Sequence, residues 1–174
     1  MNPLANYLVA RTGATVYVRA VGLANMKNAP MLESFLQEEI RLQATTACVD
    51  LSACTGMDST FMGVMVGCSQ QLVKTSGRLV IVNPTEHNLR LLEMLGVSAV
   101  LPVLARCALD EGVEFVSLPA SAALTPLQRA EVVKRAHQNL VALTESNLAK
   151  FTPFLTALEA DLARLRKFAP PEGG

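Results

Sequence analysis

The strongest constraint on the fold is an alternation of strand-like and helix-like segments over residues 46–95. The segments are Thr46–Leu51 (strand), Ser59–Thr75 (helix), Arg78–Val82 (strand) and Glu86–Leu95 (helix). Gly77 and Gly96 stand where the two helices should end, a position that glycine commonly takes. Strands that alternate with helices favour a mostly parallel sheet with the helices packed against it. The sequence therefore predicts an α/β fold.

Further elements are predicted on either side of this alternation. They are a β-hairpin of Ala5–Arg11 and Thr15–Val21, a helix over Pro30–Gln43 with Asn28 as its cap, an apolar segment Val97–Leu104 and a strand Val113–Leu118. These segments extend the predicted sheet at both ends of the chain.

A long helical extension is predicted after residue 125. Thr125 is a candidate N-cap, Pro126 suits the first helical position, and the next glycine is Gly173. A stripe at alternating steps of three and four should bury against another helix; it consists of Val141, Thr144, Leu148, Phe151, Leu155, Leu158, Leu162 and Leu165. Pro153 either kinks one long helix or, with Thr152 as cap, begins a second. We therefore predict a domain over residues 1–124, a kinked helix or helical hairpin over 125–168, and a disordered tail over 169–174.

The composition excludes several classes of function. Lysine plus arginine equals aspartate plus glutamate at 15 each, so no net field favours nucleic acid or an anionic membrane. The amino terminus lacks the pattern of a secretory signal, and the four cysteines form no C-x-x-C pair, which together predict a cytoplasmic protein with reduced thiols. His87 and His137 stand in separate helical segments without a neighbouring nucleophile or ligand motif, and each is interpreted as a solvated or capping residue. We expect no enzyme, no metal and no cofactor.

The helix that begins at residue 59 has an unusual distribution of apolar residues. Asp58 is a suitable N-cap, and the apolar side chains that follow it surround nearly the whole helix. Only one face can pack on a sheet, while Gly63 and Gly67 share a face that permits close approach. The pattern predicts an exposed apolar patch beside the hydroxyl of Ser59, which indicates a docking surface.

Residues 4–104 resemble the STAS domain of bacterial anti-sigma factor antagonists. The motifs that carry the resemblance are the strand Cys48–Leu51, the D-S-T at residues 58–60, the G-x-L-x-[IV]-x-[NP] pattern at 77–84 and LLEMLGV at 91–97. The resemblance implies that Ser59 is the phosphoacceptor of an anti-sigma factor with a histidine-kinase-like ATPase domain. It also implies partner switching, in which the unphosphorylated protein binds that kinase and a PP2C-type phosphatase resets the phosphorylated form.

The resemblance and the apolar pattern together predict the residues of a partner surface. The predicted partner-binding residues are Asn25, Asn28, Asp58, Thr60, Phe61, Met62 and Met65. A phosphate on Ser59 would add about −1.5 to −2 charge beside Asp58, so we expect it to disrupt the partner interface and leave the fold intact.

An alternative function is supported by two departures from the family's usual pattern. Phe61 replaces the glycine that usually follows the D-S-T, and Asn25 replaces an aspartate that many members carry. In this alternative the chain is an unphosphorylated STAS scaffold that binds a histidine-kinase-like or response-regulator partner, or forms a homodimer through residues 141–165.

Overall fold

The computed structural model describes residues 6–120 and 122–171, and within these residues the strands form one six-stranded and one two-stranded sheet. The strands are β1 Tyr7–Thr12, β2 Thr15–Ala20, β3 Gly22–Ala24, β4 Thr46–Asp50, β5 Cys54–Met57, β6 Arg78–Val82, β7 Val103–Leu104 and β8 Val116–Ser117. The helices are α1 Ala29–Arg41, α2 Ser59–Lys74, α3 Glu86–Met94, α4 Pro126–Val141 and α5 Glu145–Phe168, with a 3-10 turn at Val97–Ala99.

The large sheet has the strand order β7-β6-β4-β2-β1-β8. The pairs β2–β4, β4–β6 and β6–β7 are parallel, whereas β1 pairs antiparallel with β2 and with β8. The predicted α/β class with a mostly parallel sheet is confirmed. The predicted hairpin is also confirmed, with Thr12 opposite Thr15 and Gly13 at a φ of 60° in the turn between them. Its predicted first residue, Ala5, lies outside the described residues.

The parallel pair β3–β5 was not predicted, because runs of three and four residues with no alternation carry little strand signal. Ala24 pairs with Met57, so the two strands end side by side. Asn25 and Asp58 therefore begin neighbouring segments at one edge of the domain.

The last segments before the helical extension are less regular than predicted. The apolar run Val97–Leu104 divides into the 3-10 turn and the two-residue strand β7, and the predicted strand Val113–Leu118 is reduced to Val116–Ser117. Residues from the segment 107–115 cover the sheet around Tyr17, Cys48 and Val82. The hydroxyl of Tyr17 donates a hydrogen bond to Asp110 Oδ2 at 2.9 Å, which holds this segment on the sheet.

The helical extension is a hairpin, and its break is not at the predicted position. Residues 142–144 separate α4 from α5, and Thr144 caps α5 by accepting a hydrogen bond from the N–H of Asn147 at 3.0 Å. Pro153 lies inside α5, so the alternative in which it begins a second helix with Thr152 as cap is wrong. The cap at Thr144 determines the start of α5, and a proline within a helix of 24 residues removes only one backbone hydrogen bond.

The hairpin packs on the STAS-like domain and on itself. The buried side chains of α4 include Val132, Ala136 and Leu140, which are continuous with the core of the sheet. Asn147, which is fully buried, donates from Nδ2 to the carbonyls of Leu95 and Leu140 at 2.8 Å each. The turn of the hairpin is thereby bonded to the end of α3.

The predicted apolar stripe on α5 is only partly used inside the chain. Phe151 and Leu162 are buried, whereas Leu148 is 54% exposed. The division of the chain at residue 124 and dimerisation through residues 141–165 remain predictions. Of the predicted disordered tail, residues 172–174 lie outside the described residues.

Candidate functional site at the start of α2

Asp58 connects the start of α2 to the segment that follows β3. Its Oδ1 accepts a hydrogen bond from the N–H of Phe61 at 2.9 Å, so it is the N-cap that the sequence predicts. Its Oδ2 accepts from the N–H of Met26 at 2.8 Å, and its own N–H donates to the carbonyl of Ala24 at 3.0 Å. One carboxylate thus fixes the segment 25–28 against the end of the helix.

The segment 25–28 has an internal side and an exposed side. Asn28 is buried, and its Oδ1 accepts from the hydroxyl of Tyr7 at 3.0 Å and from the N–H of Asn25 at 2.9 Å. Its position precedes α1 as predicted, but its side chain folds the segment instead of capping that helix. Met26 and Lys27 are exposed and Asn25 is half-buried, so this side of the segment is the one that a partner can reach.

The hydroxyl of Ser59 is bonded to a histidine from the helical hairpin. Ser59 Oγ lies 2.9 Å from His137 Nε2, and His137 Nδ1 lies 2.7 Å from the carbonyl of Val133. Because a carbonyl only accepts, Nδ1 carries the proton and donates it to Val133. In the neutral imidazole Nε2 is then the acceptor, so the Ser59 hydroxyl donates to it.

His137 is held in its neutral form by its surroundings. Burial lowers its pKa, while the bond to the Val133 carbonyl and the charge of Asp58 act in the opposite direction and are smaller effects. The rings of Phe151 and Phe154 lie against the imidazole, with centroids at 5.0 and 4.6 Å. Both phenylalanines belong to α5, so the two helices of the hairpin together enclose the histidine.

The two glycines of α2 face α4, as their shared helical face allows. A Cβ on Gly63 would lie 2.1 Å from the carbonyl oxygen of Ala136, and the Gly63 carbonyl accepts a hydrogen bond from Asn139 Nδ2 at 3.1 Å. A Cβ on Gly67 would lie 2.5 Å from the same Nδ2 atom. The backbones of α2 and α4 thus meet at Gly63, where only glycine fits.

The expectation of an exposed apolar patch on α2 is wrong. Phe61 and Met65 are fully buried, and Met62 and Thr60 are 2% and 3% exposed. Phe61 stacks on Tyr7 with ring centroids 6.5 Å apart, which places it in the core beside β1. The physical reason is that α2 has helix or sheet on several sides, because it packs against β6, α1 and α4. In this conformation Thr60, Phe61, Met62 and Met65 do not form a docking surface.

His137 is the site residue that the sequence interpretation missed. It was interpreted as solvated or capping, yet it is 4% exposed. Val133, His137 and Leu140 follow one another at steps of four and three, which is the spacing of a buried helical face. This spacing was the available signal, but it does not identify Ser59 as the partner.

An open apolar groove lies next to the site. Its volume is about 460 Å³, and its walls come from Met26, from Arg129, Ala130 and Val133 of α4, and from Phe154 of α5. The N–H of Met26 is hydrogen-bonded to Asp58, and the ring of Phe154 contacts His137. The groove therefore lies beside Asp58 and Ser59, on the exposed side of the site.

The start of α2 therefore carries a hydroxyl at a helix N-terminus, a carboxylate that organises the adjoining loop, and a neutral histidine that accepts from the hydroxyl. A family model described as "Mlab, STAS domain" matches residues 7–106, which is more than half of the 174-residue chain. The chain belongs to the STAS domain family. The matched span ends before α4, so the hairpin lies outside the unit that the family model describes.

Solved structures with a similar fold are anti-sigma factor antagonists. SpoIIAA in its unphosphorylated form matches with a TM-score of 0.52 and 19% identity, over 56% of this chain and 86% of SpoIIAA. An anti-sigma factor antagonist from Mycobacterium paratuberculosis matches with a TM-score of 0.51 and 21% identity, over 56% of this chain and 83% of its own. A candidate antagonist from Thermotoga maritima matches with a TM-score of 0.53 and 18% identity, over 56% and 85%. At these identities the likeness establishes the fold.

No curated protein matches the chain by sequence. Of the helices in residues 6–120 and 122–171, none combines the length and the apolar character needed to cross a membrane.

Proposed function

We propose that this STAS domain is a protein-binding regulator of the anti-sigma factor antagonist type, and that Ser59 is its phosphoacceptor. The observation that carries the proposal is the position of Ser59 as the first residue of α2, directly after the N-cap Asp58. A phosphate there meets free N–H groups and the positive end of the helix dipole, so the helix tolerates the added charge.

The partner in this proposal is an anti-sigma factor with a histidine-kinase-like ATPase domain. It contacts the corner formed by the exposed Met26 and Lys27 together with Asp58 and Ser59. The unphosphorylated form binds this partner in the cytoplasm, phosphorylation of Ser59 releases it, and a PP2C-type phosphatase restores binding. The charge of the phosphate next to Asp58 supplies the repulsion at the interface.

The test is affinity purification of the full chain from its own cells, followed by intact-mass and peptide mass spectrometry. We expect phosphate on Ser59 and recovery of a kinase-type ATPase. Thr60 is an internal control, because its burial hides it from a kinase while it shares the same peptide. Phosphate absent from Ser59 under every growth condition, with no ATPase recovered, would refute the proposal.

Substitutions at Ser59 separate binding from modification. The Ser59→Ala protein should bind the partner constitutively, and the Ser59→Asp protein should bind it at least tenfold more weakly with little loss of stability. Equal binding of the two variants would argue against a switch at this residue.

A second candidate is the STAS scaffold that works without phosphorylation. The hydrogen bond from Ser59 to His137 favours this candidate, because the hydroxyl already has a partner and is covered by α4. The exposed apolar side chains Leu148 and Phe154 on α5 would then serve a protein contact, including a homodimer through residues 141–165. A partner that remains bound to both Ser59→Ala and Ser59→Asp would support this candidate.

A further inference from the structure

The face of α2 that carries Ser59 is already occupied by a helix of the same chain. Ser59, Gly63 and Gly67 recur at intervals of four, and all three meet side chains or backbone of α4. We call these three residues the crossing face of α2. Any partner that is to contact this face, or any kinase that is to reach the Ser59 hydroxyl, meets α4 first.

The crossing face has the shape and chemistry of a receptor for one helix. Gly63 allows the backbone of the facing helix to come within contact distance of α2, and the facing residue, Ala136, is small. Asn139, three residues later, donates to the Gly63 carbonyl, and His137 accepts from Ser59. A helix therefore fits when it carries a small residue at the crossing and polar side chains one and three positions further on.

Unlike the apolar contacts of α4, which belong to the core of the domain, the polar contacts across this face can be replaced by water. They include two hydrogen bonds to polar side chains of α4, and the ion pair of Arg135 with Glu33 of α1 at 2.7 Å stands at the exposed margin. Buried apolar residues of α4, such as Leu140, hold the hairpin in place. The apolar contacts of the hairpin thus stabilise the closed state. When the hairpin opens, water can form hydrogen bonds with the polar groups at the crossing.

The chain between the sheet and the hairpin permits such an opening. Residues 105–125 connect β7 to α4, and within the described part of this segment the regular structure is the two-residue strand β8. The part of this segment that β8 and the Tyr17–Asp110 hydrogen bond hold on the sheet stays in place. Beyond Leu118 an extended chain spans about 3.3 Å for each residue, so the rest of the connection can follow a displaced hairpin without disturbing β6 or β4.

We propose that the crossing face of α2 is a helix-exchange surface, which α4 covers within the chain and which a partner helix with a small residue at the crossing occupies instead. This inference rests on the proposed function, because it adds the crossing face to the exposed corner that this partner contacts. It adds that the hairpin is an intramolecular competitor, so the partner and the kinase act on the open form. Opening of the hairpin also exposes the crossing face of α2 to solvent.

The experiment uses a synthetic peptide with the sequence of residues 125–143 as the partner helix. The peptide keeps the capping box of Thr125 and Gln128, which supports its helix. Its binding, followed by fluorescence anisotropy, is compared between the native full-length protein and the Ala136→Leu protein. Ala136 is 1% exposed and its backbone lies against Gly63, so in the variant the leucine of the chain's own α4 has no room at the crossing, and we expect the crossing face to be free. A second peptide with Ala136→Leu is the matched control.

We expect the native-sequence peptide to bind the Ala136→Leu protein at least tenfold more tightly than it binds the native protein. The Ala136→Leu peptide should bind that protein at least tenfold more weakly than the native-sequence peptide does. Equal binding of both peptides, or no binding to a folded Ala136→Leu protein, would overturn the proposal.

If circular dichroism shows that the Ala136→Leu protein has lost its fold, the Asn139→Ala protein decides the question. It loses the hydrogen bond to the Gly63 carbonyl and the contact of that side chain with Gly67, and we expect it to bind the peptide more tightly than the native protein does. No gain in binding would again overturn the proposal. The assay contains no kinase and no phosphate, so its failure leaves phosphorylation of Ser59 untouched. An unmodified Ser59 in cells, in turn, leaves helix exchange standing.

Discussion

The two sides of α2 pack against different surroundings and are built differently. Toward the sheet the helix presents large apolar side chains, of which Phe61, Met65 and Leu72 are fully buried. Toward α4 it presents a hydroxyl and two glycines, and the contacts there are hydrogen bonds and a close approach of backbones. The stability of the contact with the sheet depends on the area of apolar surface removed from water. The stability of the contact with α4 depends on how closely that helix fits.

This difference separates stability from regulation within one helix. Loss of a side chain toward the sheet should weaken the whole domain. Changes on the crossing face should loosen the hairpin and leave the sheet intact.

Phe61→Ala should lower the free energy of unfolding by about 3–5 kcal/mol, because it leaves a cavity beside Tyr7 in the core. Chemical denaturation followed by circular dichroism measures the change. Phe154→Ala is the matched control, since Phe154 is 43% exposed and its loss should cost clearly less. Similar losses from both variants would remove the distinction between core and hairpin.

Gly63→Ala should destabilise the docked hairpin by about 1–3 kcal/mol, because the new methyl group meets the backbone of Ala136. Hydrogen exchange of α4 and α5 should accelerate while that of β4 and β6 stays unchanged. Gly67→Ala is the control: its methyl group meets only the end of the Asn139 side chain, which can rotate. A Gly67→Ala protein as loosened as the Gly63→Ala protein would contradict the close crossing at Gly63.

Ser59→Ala should weaken docking of the hairpin by about 1 kcal/mol, the usual net contribution of one hydrogen bond. The change leaves His137 Nε2 without its donor. Hydrogen exchange of α4 is again the measurement, and Ser59→Thr, which keeps a hydroxyl, should restore most of the protection. Unchanged exchange in Ser59→Ala would show that this hydrogen bond does not hold the hairpin.

The smallest effect should be a pH dependence from His137. Burial lowers its pKa, so below about pH 6.5, the ordinary pKa of histidine, the unfolded chain binds a proton that the folded chain resists. The stability from neutral His137 is therefore fully present above that pH and is lost as the pH falls. Compared with His137→Gln, the native protein should lose more stability in denaturation measurements between about pH 7.5 and 5.5. Parallel losses in the two proteins would contradict this origin.

Sequence patterns were sufficient for much of the fold. Binary patterning and glycine positions predicted β4, α2, β6 and α3 to within a residue or two, because each segment has a clear period and a clear end. The pair β3–β5 escaped because its strands are too short to show a period. Pro153 was misleading, because a helix started by the cap at Thr144 can continue through one proline.

The site was only half predictable. Asp58 as cap and Ser59 as the first residue of α2 follow from local rules that act within one turn of helix. The apolar residues around the whole of α2 were interpreted as an exposed patch, whereas α1 and α4 cover them. The sequence alone gave no means of deciding whether the covering surface belongs to another protein or to α4, since the contact joins residues 78 positions apart.

In our proposal α4 closes over Ser59 and opens as a unit separate from the sheet. Native-state hydrogen exchange, resolved to single amides of the full-length protein, tests it most directly. We expect measurable amide protection factors in α4 and α5 that are at least tenfold lower than those in β4 and β6. Protection equal to that of the sheet would show that the hairpin opens only when the whole protein unfolds, and an unprotected α4 would show that it does not cover Ser59.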